Sequence, residues 1–415
     1  MKIVVHPHEL IIGGSPINAI DLAAAVRDLG HEVIVYAVHG PLEDYIATKG
    51  LRYVAAPRFR YRPAVSHIAQ LAHLVYKERV DLVHAYEWPP CLDAFLGASL
   101  LFGVPTLCTV LSMSVMSVVP RVVPLIMGSE ELVQAARATH TASVSLIEPP
   151  IDTDRDNPAN NGGAFRATHG IGPDEFLVVT VSRLAIDLKL DALVDAIDAA
   201  DVLAKNWPVR LVVVGDGEAA LQLSARAAAV NARHRRKVIV LAGAMLDPRP
   251  AYGAADIVIG MGGSALRALA HGKPLVVQGE KGFSLPFDED HESLFFRQGF
   301  YGVGVGTPGG PRLAEQLAFL LSDPVRRTAL GKRGRALAVG RYSLRVAATK
   351  LVRIYEEAIA GRPPRLASLP DAARSSWLAA GIEFRNHLPS LKRARADAEL
   401  RKLAYATTPI CNMPR

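Results

Sequence analysis

The stretch with the clearest chemical potential is Ala254–Gln278, A-A-D-I-V-I-G-M-G-G-S-A-L-R-A-L-A-H-G-K-P-L-V-V-Q. Ile257, Val258 and Ile259 form an uninterrupted β-branched run that suits a buried strand. Gly260, Gly262 and Gly263 then remove side chains from a tight turn. Ser264 is positioned to cap a helix whose apolar face carries Leu266, Leu269 and Ala270. Gly272 and Pro274 stop that helix, and Leu275–Val277 starts another strand. A glycine-rich turn ahead of a helix leaves backbone N–H groups free to meet a phosphate. The same glycines could serve only to bring helix and sheet close together, and this stretch alone leaves both readings open.

The rest of the chain supplies the frame. Lys2–His6 reads as a strand, Gly13-Gly14-Ser15-Pro16 as a turn, and the next segment as a helix with Ile20, Leu22, Ala23, Val26 and Leu29 on one face. His31–Val38 is a second strand. Asp81–Trp88 reads as a strand running into a loop, and Thr106–Val110 and Leu125–Met127 as two more strands. Ile147–Asp156, with Pro149-Pro150, lacks periodicity and reads as a linker. A second alternating set begins near Glu175. Its strands are Phe176–Val181, Val209–Val214 and Val238–Leu241, and its helices cover Asp191–Ala204 and a segment through Ala229. From Gly309 onward the pattern is helical, and Tyr342–Ala360 is one amphipathic helix with Val346, Leu351, Ile354 and Tyr355 inward. The prediction is an α/β protein with two Rossmann-like domains facing a cleft, at 1–150 and 151–341. A crossover helix (342–361) and a helical, basic tail (362–415) follow.

Composition narrows the function classes. The chain has 415 residues, half of them hydrophobic, which suits two folded domains and excludes disorder. Cys91, Cys108 and Cys411 form neither a disulfide framework nor a metal-ligand spacing. The start, Met1–Val5, reads as a strand and not as a signal peptide, so a cytoplasmic protein is expected. The net charge of +7 fits anionic ligands, and no nucleic-acid motif accompanies it. Ala94–Pro120 carries no charge, but Gly103-Val104-Pro105 interrupts it, so it reads as buried sheet elements and not as a membrane span. Arg58, Arg60 and Arg62 alternate with Phe59 and Tyr61. This patch reads as a solvated loop, with peripheral contact to an anionic membrane or acidic acceptor as alternatives.

In their order and spacing these segments resemble the retaining glycosyltransferases of the GT-B fold, family 4. Up to about Gly361 the matching pieces are Gly13-Gly14, G-H-E-V at 30–33, D-L-V-H-A-Y at 81–86, G-S-E-E at 128–131 and I-D-T-D at 151–154. V-S-R-L at 181–184, V-V-G-D-G-E at 213–218 and A-L-A-H-G-K-P-L-V-V at 268–277 complete the set. The resemblance implies a nucleotide-diphosphate sugar (UDP or GDP type) bound in the second domain, and a small-molecule or glycan acceptor held mainly by the first. The oligomeric state stays open, a homodimer included. The Ala-, Arg- and Gly-rich composition fits a bacterium in which natural products or envelope glycans are made.

Arg183 is then the expected catalytic cation that stabilises the departing diphosphate, with Lys189 as second candidate. Lys189 lies one residue further from the arginine than is usual, and Leu190 replaces a customary glycine. Gly262, Gly263, Ser264, Ala265 and Leu266 would offer N–H groups to the diphosphate. Gly215 and Gly217 would let the nucleotide approach or simply form a turn, and Gly243 and Met245 would edge the base. Arg267 stands where the family commonly has the glutamate that holds the ribose. It is expected to reach a phosphate or a carboxylated sugar, or to pair with an acid such as Glu280. Gly13, Gly14, His84, Tyr86, Glu87 and Ser112 are the acceptor-side candidates, Tyr86 and Ser112 standing where histidines are common. No metal or other cofactor is expected, and Asp152-Thr153-Asp154 and Asp288-Glu289-Asp290 read as ordinary solvated acids. Two other functions share the frame: a nucleotide-sugar 2-epimerase, and a sugar-nucleotide binder without turnover.

Overall fold

The structure, a computed structural model, describes residues 1–11, 13–59, 61–112, 114–306 and 308–387. Two compact units result. One comprises Met1–Pro150 together with 342–387, and the other is Ile151–Arg341. The basic part of the tail, 388–415, lies outside the described residues.

The first unit is built on seven parallel strands: β1 (Lys2–His6), β2 (Glu32–Ala37), β3 (Arg52–Ala55), β4 (Leu82–Tyr86), β5 (Thr106–Val110), β6 (Leu125–Met127) and β7 (Val144–Leu146). Their order is β3-β2-β1-β4-β5-β6-β7. Helices cover both faces, so the central strands are apolar without alternation, as in Ile3-Val4-Val5 and Leu82-Val83. Each such side chain taken from water contributes about 1.5–3 kcal/mol. On one face, Ile3 and Val5 meet the helix Gly14–Asp28 and the returning helix Leu344–Ala360 through Ala347, Leu351 and Tyr355. On the other, Val4 and Val83 meet Leu71 and Val75 of the helix Val65–Glu78. The G-S-E-E segment is a helix start: the Ser129 hydroxyl accepts from Leu132 N, and Glu130 and Glu131 sit in the positive first turn.

The second unit has six strands: β8 (Phe176–Val181), β9 (Val209–Val214), β10 (Ile239–Gly243), β11 (Ile257–Gly260), β12 (Leu275–Gln278) and β13 (Ser284–Pro286). The order is β10-β9-β8-β11-β12-β13, with only β13 antiparallel. The helix Leu190–Leu203 buries Leu193, Ala196, Ile197, Ala200 and Leu203 in one core with Leu211 and Val213 of β9 and with Leu313 and Leu317.

Two readings need correction here. The strand Asp81–Trp88 does not run into a loop, because a new helix, Trp88–Ala94, starts after a single left-handed residue, Glu87 at φ 68°. The patch around Arg62 is not simply solvated. Its guanidinium lies 3.3 Å from Asp93 Oδ2, over the rings of Phe59 and Trp88.

Candidate functional site

In the second unit the strand order reverses between β8 and β11, the point where an open parallel sheet forms a crevice beyond its carboxyl ends. Two backbone stretches leave the sheet there: Ser182-Arg183-Leu184 from β8, and Met261–Leu266 from β11. Arg183 is exposed, two residues past the end of β8, and its side chain has no carboxylate partner among the described residues.

The loop that carries Arg183 is held from the next strand. Ser182 N donates to Val214 O, Leu184 N to Asp216 O, and Ala219 N to Leu184 O. That contact explains two glycines. A Cβ on Gly215 would sit 1.8 Å from Ser182 O, and one on Gly217 2.6 Å from Leu184 O, at φ +145° and +156°. Both therefore let β9 press against the arginine loop. Gly243, at φ +76°, ends β10 and accepts from Gly215 N at 2.8 Å, with Met245 half-buried beyond it.

Lys189 is the residue before the helix Leu190–Leu203. Burial pushes its ammonium down to about 8. The charge of Arg183 adds to the shift and Glu280 opposes it. Leu188, the residue before Lys189, adopts a left-handed φ of 66°.

The β11 turn behaves differently from the β9 turn. Gly262 has φ +57°, and neither Gly262 nor Gly263 has any atom within 4 Å of where a Cβ would stand. Close packing does not require these two glycines; they face open space at the N-terminus of the helix Gly263–Ala270. Ser264 is not the cap expected from sequence. The residue before the helix is Gly262, and the Ser264 hydroxyl accepts from Tyr252 at 3.1 Å. Ala265 and Leu266 are buried in the helix, Leu266 N donating to Gly262 O. Arg267 does not turn to Glu280. Its Nε lies 3.5 Å from Oδ2 of Asp156, a buried carboxyl pushed up to about 6 by burial, with Arg267 pulling the other way. Glu280 instead accepts from the Tyr301 hydroxyl. Asp156, Glu280 and Tyr301 are not among the site residues expected from sequence. The signal for Glu280 is present, an acid in a G-E-K-G turn directly after a strand end.

In the first unit the strand order reverses between β1 and β4. Gly13 precedes the helix Gly14–Asp28, and nothing stands within 4 Å of a Cβ at Gly14. His84 and Tyr86 do not reach a surface where an acceptor could meet them. His84 is 1% exposed, with Nδ1 2.8 Å from the Tyr355 hydroxyl and Nε2 2.7 Å from Thr109 Oγ1. Burial pushes its pKa down to about 3, so the imidazole is neutral and structural. Tyr86 is equally buried, and burial raises its phenol. Glu87 and Ser112 do meet: Glu87 Oε1 accepts from Leu111 N and Ser112 N, and Oε2 from Ser112 Oγ at 2.9 Å. Glu87 thus ties the end of β4 to the loop after β5.

Neither acidic triplet gathers three potential metal ligands among the described residues. Asp288 is not the solvated acid expected from sequence. It is buried, with His291 Nδ1 at 2.7 Å and Arg326 at 3.7 Å. No helix among the described residues is long and apolar enough to cross a membrane.

Residues 12–123 match the family described as Glycosyltransferase Family 4, and residues 175–298 match Glycosyl transferases group 1. The two matches together span more than half the chain. This chain is a family 4, group 1 glycosyltransferase. The glycosyltransferase is similar in fold to one from Rickettsia africae, with a TM-score of 0.72, 16% identity, and coverage of 87% of this chain and 99% of that one. It is similar to Anabaena Alr3699/HepE, crystallised with UDP, at a TM-score of 0.67 and 17% identity, covering 86% and 100%. A third likeness is to the sucrose-phosphate synthase of Thermosynechococcus elongatus, at 0.61 and 16%, covering 87% and 100%. No curated protein matches the glycosyltransferase in sequence. Its two sheets with flanking helices are those of the GT-B fold, with extra C-terminal helices.

Proposed function

We propose that this glycosyltransferase transfers a hexose-type sugar from a UDP- or GDP-sugar with retention at the anomeric carbon, and without a divalent metal. The acceptor is a small molecule or glycan of natural-product or cell-envelope biosynthesis. The observation that supports the donor half of this reading is the adjacency of Arg183, at the end of β8, and the open Gly262-Gly263 turn, at the end of β11. Cleavage of the sugar–diphosphate bond places negative charge on the leaving diphosphate. A planar guanidinium and a helix N-terminus are preorganised donors for that charge. Lys189 adds a second cation. Arg267, steadied by Asp156, and Glu280 take over the contacts that the family's paired glutamates make. The UDP and UDP-glucose complexes of the Anabaena protein support a uridine donor.

The test is incubation with UDP- and GDP-sugars and candidate acceptors, with and without EDTA, followed by NMR of the anomeric proton. Product with the donor's configuration and equal rates in EDTA are expected. An inverted product overturns retention, and activity lost in EDTA and restored by Mg²⁺ overturns metal independence. Release of a 2-epimer without acceptor favours the epimerase. Saturable donor binding with neither hydrolysis nor transfer favours the binder.

A further inference from the structure

Three side chains from three elements meet inside the first unit. His6 ends β1, His67 lies in the first turn of the helix Val65–Glu78, and Asp93 belongs to the helix Trp88–Ala94. They are 3%, 2% and 1% exposed. One ligand-capable atom of each lies within 4.8 Å of the other two. Buried polar atoms are almost always paired, and an unpaired one asks for an explanation. Four are unpaired here among the described residues: His6 Nδ1 and Nε2, His67 Nδ1, and Asp93 Oδ1.

The orientation of His67 sharpens the question. Its Nε2 is 2.7 Å from Pro57 O, and a carbonyl only accepts, so Nε2 carries the hydrogen. In the neutral ring Nδ1 is then a bare lone pair, and it faces Asp93 Oδ2 at 3.3 Å. The Arg62 guanidinium answers the charge of Asp93 from one side but reaches neither His67 Nδ1 nor the ring nitrogens of His6, so these buried nitrogens keep no hydrogen-bond partner among the described residues. An imidazole whose far nitrogen donates to a backbone carbonyl is the usual arrangement behind a bound metal. Arg62 occupies Oδ2 of Asp93 from the outer side, which leaves Oδ1 as the free oxygen.

We propose that His6, His67 and Asp93 form a structural site for a divalent transition cation of the zinc type. The ligands are one ring nitrogen of each histidine and Asp93 Oδ1. Two imidazoles and one carboxylate suit zinc, at about 2.0–2.2 Å, whereas magnesium and calcium take oxygen ligands. The enclosure keeps a donor sugar away, so the ion takes no part in transfer. It clamps the end of β1 to two helices. The site is separate from the donor machinery, and its failure would leave the reading of that machinery intact.

The experiment uses the full chain without an affinity tag, purified without chelators. Elemental analysis should find about one zinc per chain. Chelator-stripped protein should melt lower and be restored by one equivalent of Zn²⁺ but not by Mg²⁺. Co²⁺ added to stripped protein should give a visible d–d band. Asp93→Asn and His6→Gln should each weaken zinc binding by about 100-fold, the upper end of what losing even a supporting partner of a ligand costs. If either variant fails to fold, the cobalt spectrum of the wild type decides. Protein with less than a tenth of an equivalent of metal, no zinc-dependent melting shift and no cobalt band overturns the proposal. Zinc binding unchanged in a folded Asp93→Asn variant overturns it as well.

Discussion

Arg183 and Lys189 are both cations near the end of β8, yet they should answer mutation differently. Arg183 is exposed and packs little. If it meets charge that develops on the departing diphosphate, its effect belongs to the transition state. Arg183→Ala should lower kcat by about two to three orders of magnitude, with little change in donor KM or melting temperature. Arg183→Lys should recover only part, because a point charge cannot reproduce the planar fork. A folded Ala variant with wild-type kcat would remove Arg183 from the mechanism. Lys189 is half-buried, and its ammonium titrates near 8, below the ordinary lysine value. Between about pH 8 and 10.5 the folded protein therefore binds fewer protons here than the unfolded chain. Its charge costs stability below pH 8, and that cost is relieved as pH rises through the window. Lys189→Met should raise stability at pH 7 by about 1–3 kcal/mol, the worth of one to two pKa units, while lowering kcat/KM for the donor. The wild-type kcat/KM should fall above about pH 8, and the Met variant should lack that limb. Identical pH profiles would take Lys189 out of the donor site.

At the scale of elements, two glycine turns with similar sequences have different jobs. Gly263→Ala places its methyl in open space in the first turn of a helix, where Ala is favoured over Gly by roughly 0.5–1 kcal/mol. The variant should be as stable as the wild type or slightly more so, yet its donor KM should rise about tenfold or more if a phosphate meets this backbone. An unchanged KM would end the phosphate reading of that turn. Gly215→Ala should cost about 3 kcal/mol, because the methyl meets Ser182 O and the φ is one that Ala resists. The residual folded protein should also be slow, since the loop carrying Arg183 must move. Thermal unfolding and kcat measured on the same sample check both statements.

The elements themselves were largely legible. Phe176–Val181, Val209–Val214, Thr106–Val110 and Leu125–Met127 stand in the structure with the bounds read from sequence, because central strands of parallel sheets are continuous apolar runs. The strands β7 (Val-Ser-Leu) and β13 (Ser-Leu-Pro) lack the continuous apolar run that marks the equally short Leu-Ile-Met of β6, so sequence did not show them. What sequence did not show was pairing at a distance. His84 finds Tyr355 across 271 positions, and Arg267 finds Asp156 in what reads as a linker. No local period carries such information, so sequence could name the strand-end histidine as an acceptor-side candidate or a structural residue, but not show that Tyr355 and Thr109 enclose it.

For the whole molecule, the separate cores of the two units make donor binding a local stabilisation. A UDP- or GDP-sugar at about a hundredfold its Kd should add roughly 2.7 kcal/mol to the unit that holds Arg183. Scanning calorimetry with and without donor should show that unit's transition moving; a panel of nucleotide sugars that moves nothing would sink the donor assignment. The path of the chain has a consequence of another kind. The first unit is interrupted: its sheet is finished by Leu146, but Ala347, Leu351 and Tyr355, which line the same core, come after the whole of Ile151–Arg341. On a ribosome adding about 5–20 residues per second, the roughly 200 intervening residues take about 10–40 s. During that wait the nascent sheet exposes the apolar groove meant for the returning helix, and the His84 ring lacks its hydroxyl partner. Translation that stalls between the two units would therefore leave a sticky half-core as a client for chaperones, while the inserted unit is already able to close.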